Sequence, residues 1–155
     1  MSVSKTKKQL VDVARQLFAN NGVEDTTMND IAVASKKGRR TLYTYFKSKE
    51  DIYFAVIESE LDMLVETMRK VAAKDISPDE KILELIYTHL DAIKEVVLRN
   101  GNLHAEFFRD IRKVERARMR FNYHEKMIFR EVLSEGVEKD VFEVEDVKVF
   151  ADILH

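Results

Sequence analysis

Cysteine and tryptophan are absent from this chain of 155 residues, proline occurs once and glycine four times. Without thiols there is no disulfide framework, no thiolate-bound zinc or iron–sulfur cluster, and no cysteine nucleophile. The same absence fits a reducing cytoplasm, which is the expected location. So little proline and glycine leaves few places to turn, and long helices are expected. Only 141–149, rich in valine, can also be read as a strand. No apolar run approaches the roughly 18 uncharged residues of a membrane span, and the lysines among the first nine residues precede no signal-like apolar stretch. A phosphate-cradling glycine loop and a nucleophile elbow are missing too, so an enzyme is not expected.

The formal net charge of −2 hides an asymmetry. Residues 1–51 hold ten Lys/Arg against six Asp/Glu, a balance of +4, and the remainder stands at −6. Only the N-terminal third is built to approach a polyanion.

Leu10, Val13, Ala14, Leu17 and Phe18 fall on one helical stripe that Asn20, Asn21 and Gly22 stop. Thr27 with Asp30 opens a second, very short helix whose buried side is expected to be Met28, Ile31, Ala32 and Ala34. Gly38 precedes a third, with Leu42 and Phe46 facing inward. Ser48 and Asp51 start a long fourth helix with a seam of Ile57, Leu61, Leu64, Met68 and Val71. Ser77-Pro78-Asp79-Glu80 starts a fifth, with Ile82, Ile86, Leu90, Ile93 and Val97 as its seam. One or two helices then span about 103–134, carrying Phe107, Phe108, Ile111, Met119, Tyr123, Met127 and Val132, and Gly136 is expected to close them. Helical spacing returns at Val147, Phe150, Ala151 and Leu154, and the end at His155, lacking a cap, is expected to lie inside a helix with C-terminal material missing.

The informative stretch runs from Thr26 to Asp51. With Leu42 and Phe46 buried, the third helix exposes Arg39, Arg40, Tyr43, Thr44 and Lys47, approached by Lys36 and Lys37. Guanidinium forks suit guanine edges, and hydroxyls and ammonium groups suit phosphate, so this helix has the dimensions and chemistry of a major-groove reader. A merely solvated face would not explain the two-turn helices or the lysine-rich approach.

These residues closely resemble the N-terminal domain of the TetR family: Leu17, Phe18 and Gly22, then Thr26, Thr27, Ile31 and Ala32, then Thr41, Leu42, Tyr43, Tyr45, Phe46, Ser48, Lys49 and Glu50. The resemblance covers about residues 8–55. It implies phosphate contacts from Thr27, Tyr43, Tyr45 and Lys49, and base reading by Arg39, Arg40, Thr41 and Thr44. Where the family usually has Gly-Val-Ser, this chain has Lys36, Lys37 and Gly38. Lys37 is expected to snorkel outward and add a phosphate contact.

The resulting expectation is an all-α protein, with a three-helix helix-turn-helix DNA-binding domain over 1–47 and a helical-bundle domain for ligand binding and dimerisation over 48–155. By resemblance it would be a homodimeric repressor on double-stranded DNA with a palindromic operator, released by an unknown small-molecule effector. A DNA-architectural helix-turn-helix protein without sensing is the alternative, and the acidic body weighs against it. Tyr87, His89, His104, Phe107, Phe108, Tyr123 and Met127 are candidate pocket residues, although aromatics and methionines at helical spacing ordinarily pack. No cofactor is expected. Nor is a metal, since none of His89, His104, His124 and His155 stands in a Glu-x-x-His pair. The basic run Arg109, Arg112, Lys113, Arg116, Arg118 and Arg120 reads best as a solvated face.

Overall fold

The computed structural model of the chain describes residues 2–100 and 111–154. Among them are seven α-helices and no strand: α1 (Ser2–Asn21), α2 (Met28–Ala34), α3 (Arg39–Tyr45), α4 (Lys49–Ala72), α5 (Pro78–Asn100), α6 (Ile111–Glu138) and α7 (Val147–Leu154). No helix among the described residues is long and apolar enough to cross a membrane. The chain forms two compact units: one contains 2–60, the other 61–97 and 115–154, with α4 contributing to both.

In the first unit, α1 buries Leu10, Val11, Ala14 and Phe18, with Leu17 packed at the margin. The stripe is therefore turned slightly from its expected position, toward Val11 and away from Val13. Gly22 ends the helix at φ +85° and its N–H bonds to the Phe18 carbonyl at 2.9 Å, a left-handed closure that suits glycine. The buried Thr26 hydroxyl then donates to the Gly22 carbonyl at 2.8 Å.

The short α2 carries a full capping box: the Thr27 hydroxyl accepts from Asp30 N–H at 3.1 Å and the Asp30 carboxylate accepts from Thr27 N–H at 2.8 Å. The bond from the Thr27 backbone, helped by its hydroxyl, holds the Asp30 carboxyl below the ordinary carboxylate range. Ile31 and Ala32 are buried as expected and Ala34 is not. Ser35 takes that place, satisfied by donating its hydroxyl to Ala32 at 3.0 Å. From α3, Leu42 is fully buried and Phe46 nearly so, against Leu10, Ile31, Ile52 and Val56. Ser48 accepts the Asp51 N–H at 3.2 Å and opens α4 as anticipated.

In the second unit, Pro78 begins α5, and a hydrogen bond from the Ser77 side chain lowers the Asp79 pKa. The inward face of α5 is Leu85 with Ile82 and Ile86 beside it; Leu90 and Ile93, expected in the seam, are about half exposed at 54% and 47%. In α6 the core residues are Ala117, Phe121, Ile128, Phe129, Val132 and Leu133, and Met119 and Tyr123 stand outside at 62% each. Near-complete burial also takes in two charges, Lys81 and Glu125. Lys81 bonds to Glu135 at 2.8 Å, and Glu135 also receives Lys139 at 2.6 Å. Those bonds, Lys139 first, hold the Glu135 carboxyl below its usual range.

Gly136 does not close α6, which continues to Glu138. Closure falls on Asp140, left-handed at φ +56°, with Asp140 N–H on the Val137 carbonyl at 3.2 Å and Val141 N–H on Gly136 at 2.8 Å. This pair of bonds is a Schellman motif. The chain then turns Phe142 back onto Gly136, where a Cβ would run into the ring. Asp146 accepts the N–H groups of Lys148 and Val149 at 2.9 and 3.2 Å and so opens α7; 141–149 forms no strand.

Alanine exceeds glycine in intrinsic helix preference by roughly 1 kcal/mol, yet Gly136→Ala is expected to destabilise by about 1–3 kcal/mol because Phe142 must shift. A denaturant titration comparing the two proteins checks the sign.

Candidate nucleic-acid interface

The turn between α2 and α3 is a second Schellman closure. Lys36 N–H bonds to the Val33 carbonyl at 3.0 Å and Lys37 N–H to Ala32 at 3.1 Å, with Lys36 left-handed at φ +54°. Gln9 of α1 donates to the Ser35 carbonyl at 3.2 Å and ties the turn to the body of the unit. A lysine thus stands where backbone geometry favours glycine. The glycine two residues on, Gly38, has an ordinary φ of −66° and open space where a Cβ would go. It serves as a bare N-cap for α3.

Leu42 and Phe46 fix which way α3 faces. Lys36, Arg39, Arg40, Tyr43, Thr44 and Lys47 are exposed, Tyr43 at 41%, and Lys37 and Thr41 are half-buried. The Arg39 guanidinium lies 6.0 Å from the Tyr43 ring centre, a cation–π distance that lets the two side chains stack. Lys7 of α1 lies 5.8 Å from the Phe46 ring and adds a cation that the motif alone does not reveal. Three candidates already hold partners within the chain. The Thr44 hydroxyl donates to the Arg40 carbonyl at 2.8 Å, Thr27 is committed to its capping box, and the Lys49 ammonium donates to the Glu24 carbonyl at 3.1 Å. Tyr45 is half-buried and packs on the core with its ring. The exposed set is therefore one cationic, hydrogen-bonding face about two turns long, the arrangement that reads base edges and phosphates.

Of the residues expected to line a pocket in the helical body, His104, Phe107 and Phe108 lie outside the described residues. Tyr87 and Tyr123 are exposed, at 64% and 62%, and Met127 is half-buried. Of the described candidates, His89 is joined to a buried polar group: its Nδ1 meets the Glu125 carboxylate, which is 1% exposed. The Phe121 ring lies 6.0 Å away, tilted by 35°. The hydrogen bond to Glu125 raises the His89 pKa, and burial opposes it. Glu125 was missed as a partner because a lone charge in an apolar seam carries no signal in one sequence. Among the described residues no group of three or more potential ligands is placed to hold a metal ion.

Comparison with known proteins gives the following. The family model for bacterial regulatory proteins of the tetR family matches residues 10–56. A TetR/AcrR-family transcriptional regulator from Thermobifida fusca is 30% identical over 96% of this chain and 79% of its own, with a TM-score of 0.65. The fatty acid metabolism regulator protein of Bacillus subtilis is 27% identical over 104 residues, 61% of this chain and 54% of the relative. FadR from Bacillus subtilis, solved with stearoyl-CoA, superposes with a TM-score of 0.60 at 21% identity over 95% of this chain and 80% of its own, a likeness of fold. The chain spans about half the length of the curated relatives it matches.

Two measurements follow from the geometry. Lys36→Gly removes the left-handed penalty of a β-carbon and is expected to raise stability by about 1 kcal/mol, visible as a higher denaturation midpoint. For His89, a raised pKa in the folded protein means that the pair contributes fully below histidine's ordinary value of 6.5 and is lost as pH rises through the raised value. Chemical denaturation between about pH 6 and 9 should show stability falling with pH, and His89→Gln should flatten that slope.

Proposed function

The chain belongs to the TetR family of bacterial regulatory proteins, and we propose that it is a sequence-specific DNA-binding transcriptional regulator, a cytoplasmic homodimeric repressor that leaves its operator when a small molecule binds. The observation that carries this reading is the face of α3: Arg39, Arg40 and Tyr43 exposed on a seven-residue helix, with Lys47 exposed just past its end, and Leu42 and the C-cap Phe46 anchoring the other side. In the proposed complex α3 enters the major groove, Arg39 and Arg40 read base edges with Thr41 and Thr44 beside them, and Tyr43, Tyr45, Lys47, Lys49, Thr27, Lys36 and Lys37 meet phosphates. Two copies would place two such helices about one helical turn of DNA apart on a palindrome. An effector that binds better to the conformation with wrongly spaced reading helices would shift the population off DNA through α4. The names of the relatives make long-chain acyl-CoA the first effector to test. No catalytic role is assigned to any residue.

Selection of bound fragments from random duplexes, at low and near-physiological salt, tests the reading. A palindromic motif that survives the higher salt supports a dimeric specific regulator. Unspecific binding that salt abolishes overturns it in favour of an architectural protein. On the selected site, Arg40→Ala is expected to lose about 1–3 kcal/mol and relax one base position. Lys36→Gly should weaken every sequence alike and reduce the salt slope by about 1, so that the more stable protein binds less tightly.

A further inference from the structure

The seam between α1 and the first half of α4 is apolar along Leu10, Val11, Ala14, Phe18, Ile52, Tyr53 and Val56, with the Phe18 and Tyr53 rings edge to face at 6.0 Å. Its far end is different. There Arg15 of α1 donates from Nη2 to the Ser59 hydroxyl of α4 at 2.6 Å and also meets the Asp12 carboxylate, one turn back on α1, at 3.1 Å. Beside this bond is a small cavity of about 20 Å³, walled by Arg15, Phe18, Ala19, Tyr53, Val56, Ile57 and Glu60, roughly the room needed by one water. Arg15 Nε is buried in the same neighbourhood with no protein partner.

Apolar contact is non-directional and tolerates a helix sliding or turning by a fraction of an ångström. A short bond between a guanidinium and a hydroxyl does not. The bond therefore adds a directional constraint to the register that the apolar seam beside it leaves less sharply defined. Ser59 is also the last residue but one of the part of α4 that belongs to the first unit, a part that ends at Glu60. A displacement of α4 arriving from the second unit reaches this bond before it reaches Ser48 and α3.

On these grounds we infer that Arg15 is a positioning residue for DNA recognition: through Ser59 it sets the axial register of α4 against α1, and thereby the presentation of the α3 face. It touches no DNA in this scheme. The inference rests on the DNA-binding reading above and adds the element by which α4 controls that site.

The test uses the full chain and a duplex bearing the site it selects from random DNA, at a temperature where every variant is folded. Ser59→Ala removes the acceptor with little change in volume, Arg15→Gln removes the charged donor, and Ser59→Thr keeps a hydroxyl. Ser59→Ala and Arg15→Gln are each expected to raise the dissociation constant about 3- to 10-fold, the scale of one ordinary net hydrogen bond, with the salt slope unchanged because no phosphate contact is lost. The double variant should bind no worse than Arg15→Gln alone, and Ser59→Thr should restore binding. Folded Ser59→Ala protein that binds like the wild type overturns the inference, as does an additive double variant. So does a salt slope reduced by about one in Arg15→Gln, which would make Arg15 a phosphate contact. Failure of the wild-type chain to select any site would instead overturn the DNA-binding reading.

Discussion

A helix of seven residues is not stable in water on its own, so the exposed face of α3 exists because Leu42 and Phe46 are buried. Those two side chains decide both that the helix forms and which way it points. Everything on the outer side, from Arg39 to Lys47, inherits its direction from them. The supports of this small core are local closures: a capping box at α2, left-handed ends at Gly22 and Lys36, and the Ser48 cap of α4. Each satisfies backbone groups that a short helix would otherwise leave unpaired.

The first unit was largely legible in the sequence because its signals are short-range. Thr27 three residues before Asp30, Gly22 after an apolar stripe, and Ser48 before Asp51 act within one turn, and the structure uses all three. The errors here were single positions on a helix wheel. Ala34 lost its place to Ser35 because a serine can bury its hydroxyl by bonding back to Ala32, an option that periodicity does not see.

The second unit was harder to read because its helices carry more apolar residues than one face can bury. Leu83, Tyr87, Leu90 and Ile93 on α5 compete with Ile82, Leu85 and Ile86, and packing chose the second set. On α6 the large residues Met119 and Tyr123 lost to Phe121, Ile128 and Phe129. Burial of Lys81 and Glu125 was likewise invisible, since a charge enters a core only where a partner meets it, and those partners, Glu135 and His89, lie 54 and 36 residues away. Gly136 misled for a related reason. Its hydrogen in place of a side chain makes room for Phe142, a contact across the end of the helix that local rules assign to a cap.

The Arg15 guanidinium, paired with the Asp12 carboxylate and bonded to Ser59, alters the meaning of the charge count in the first unit. A cation paired with a carboxylate of its own chain gives up that partner before it can neutralise a phosphate. For a duplex approaching α3, the number of counterions displaced is accordingly set by the cations of the face, including Lys49, whose bond to a neutral carbonyl leaves its charge intact, and not by every lysine and arginine in residues 1–51.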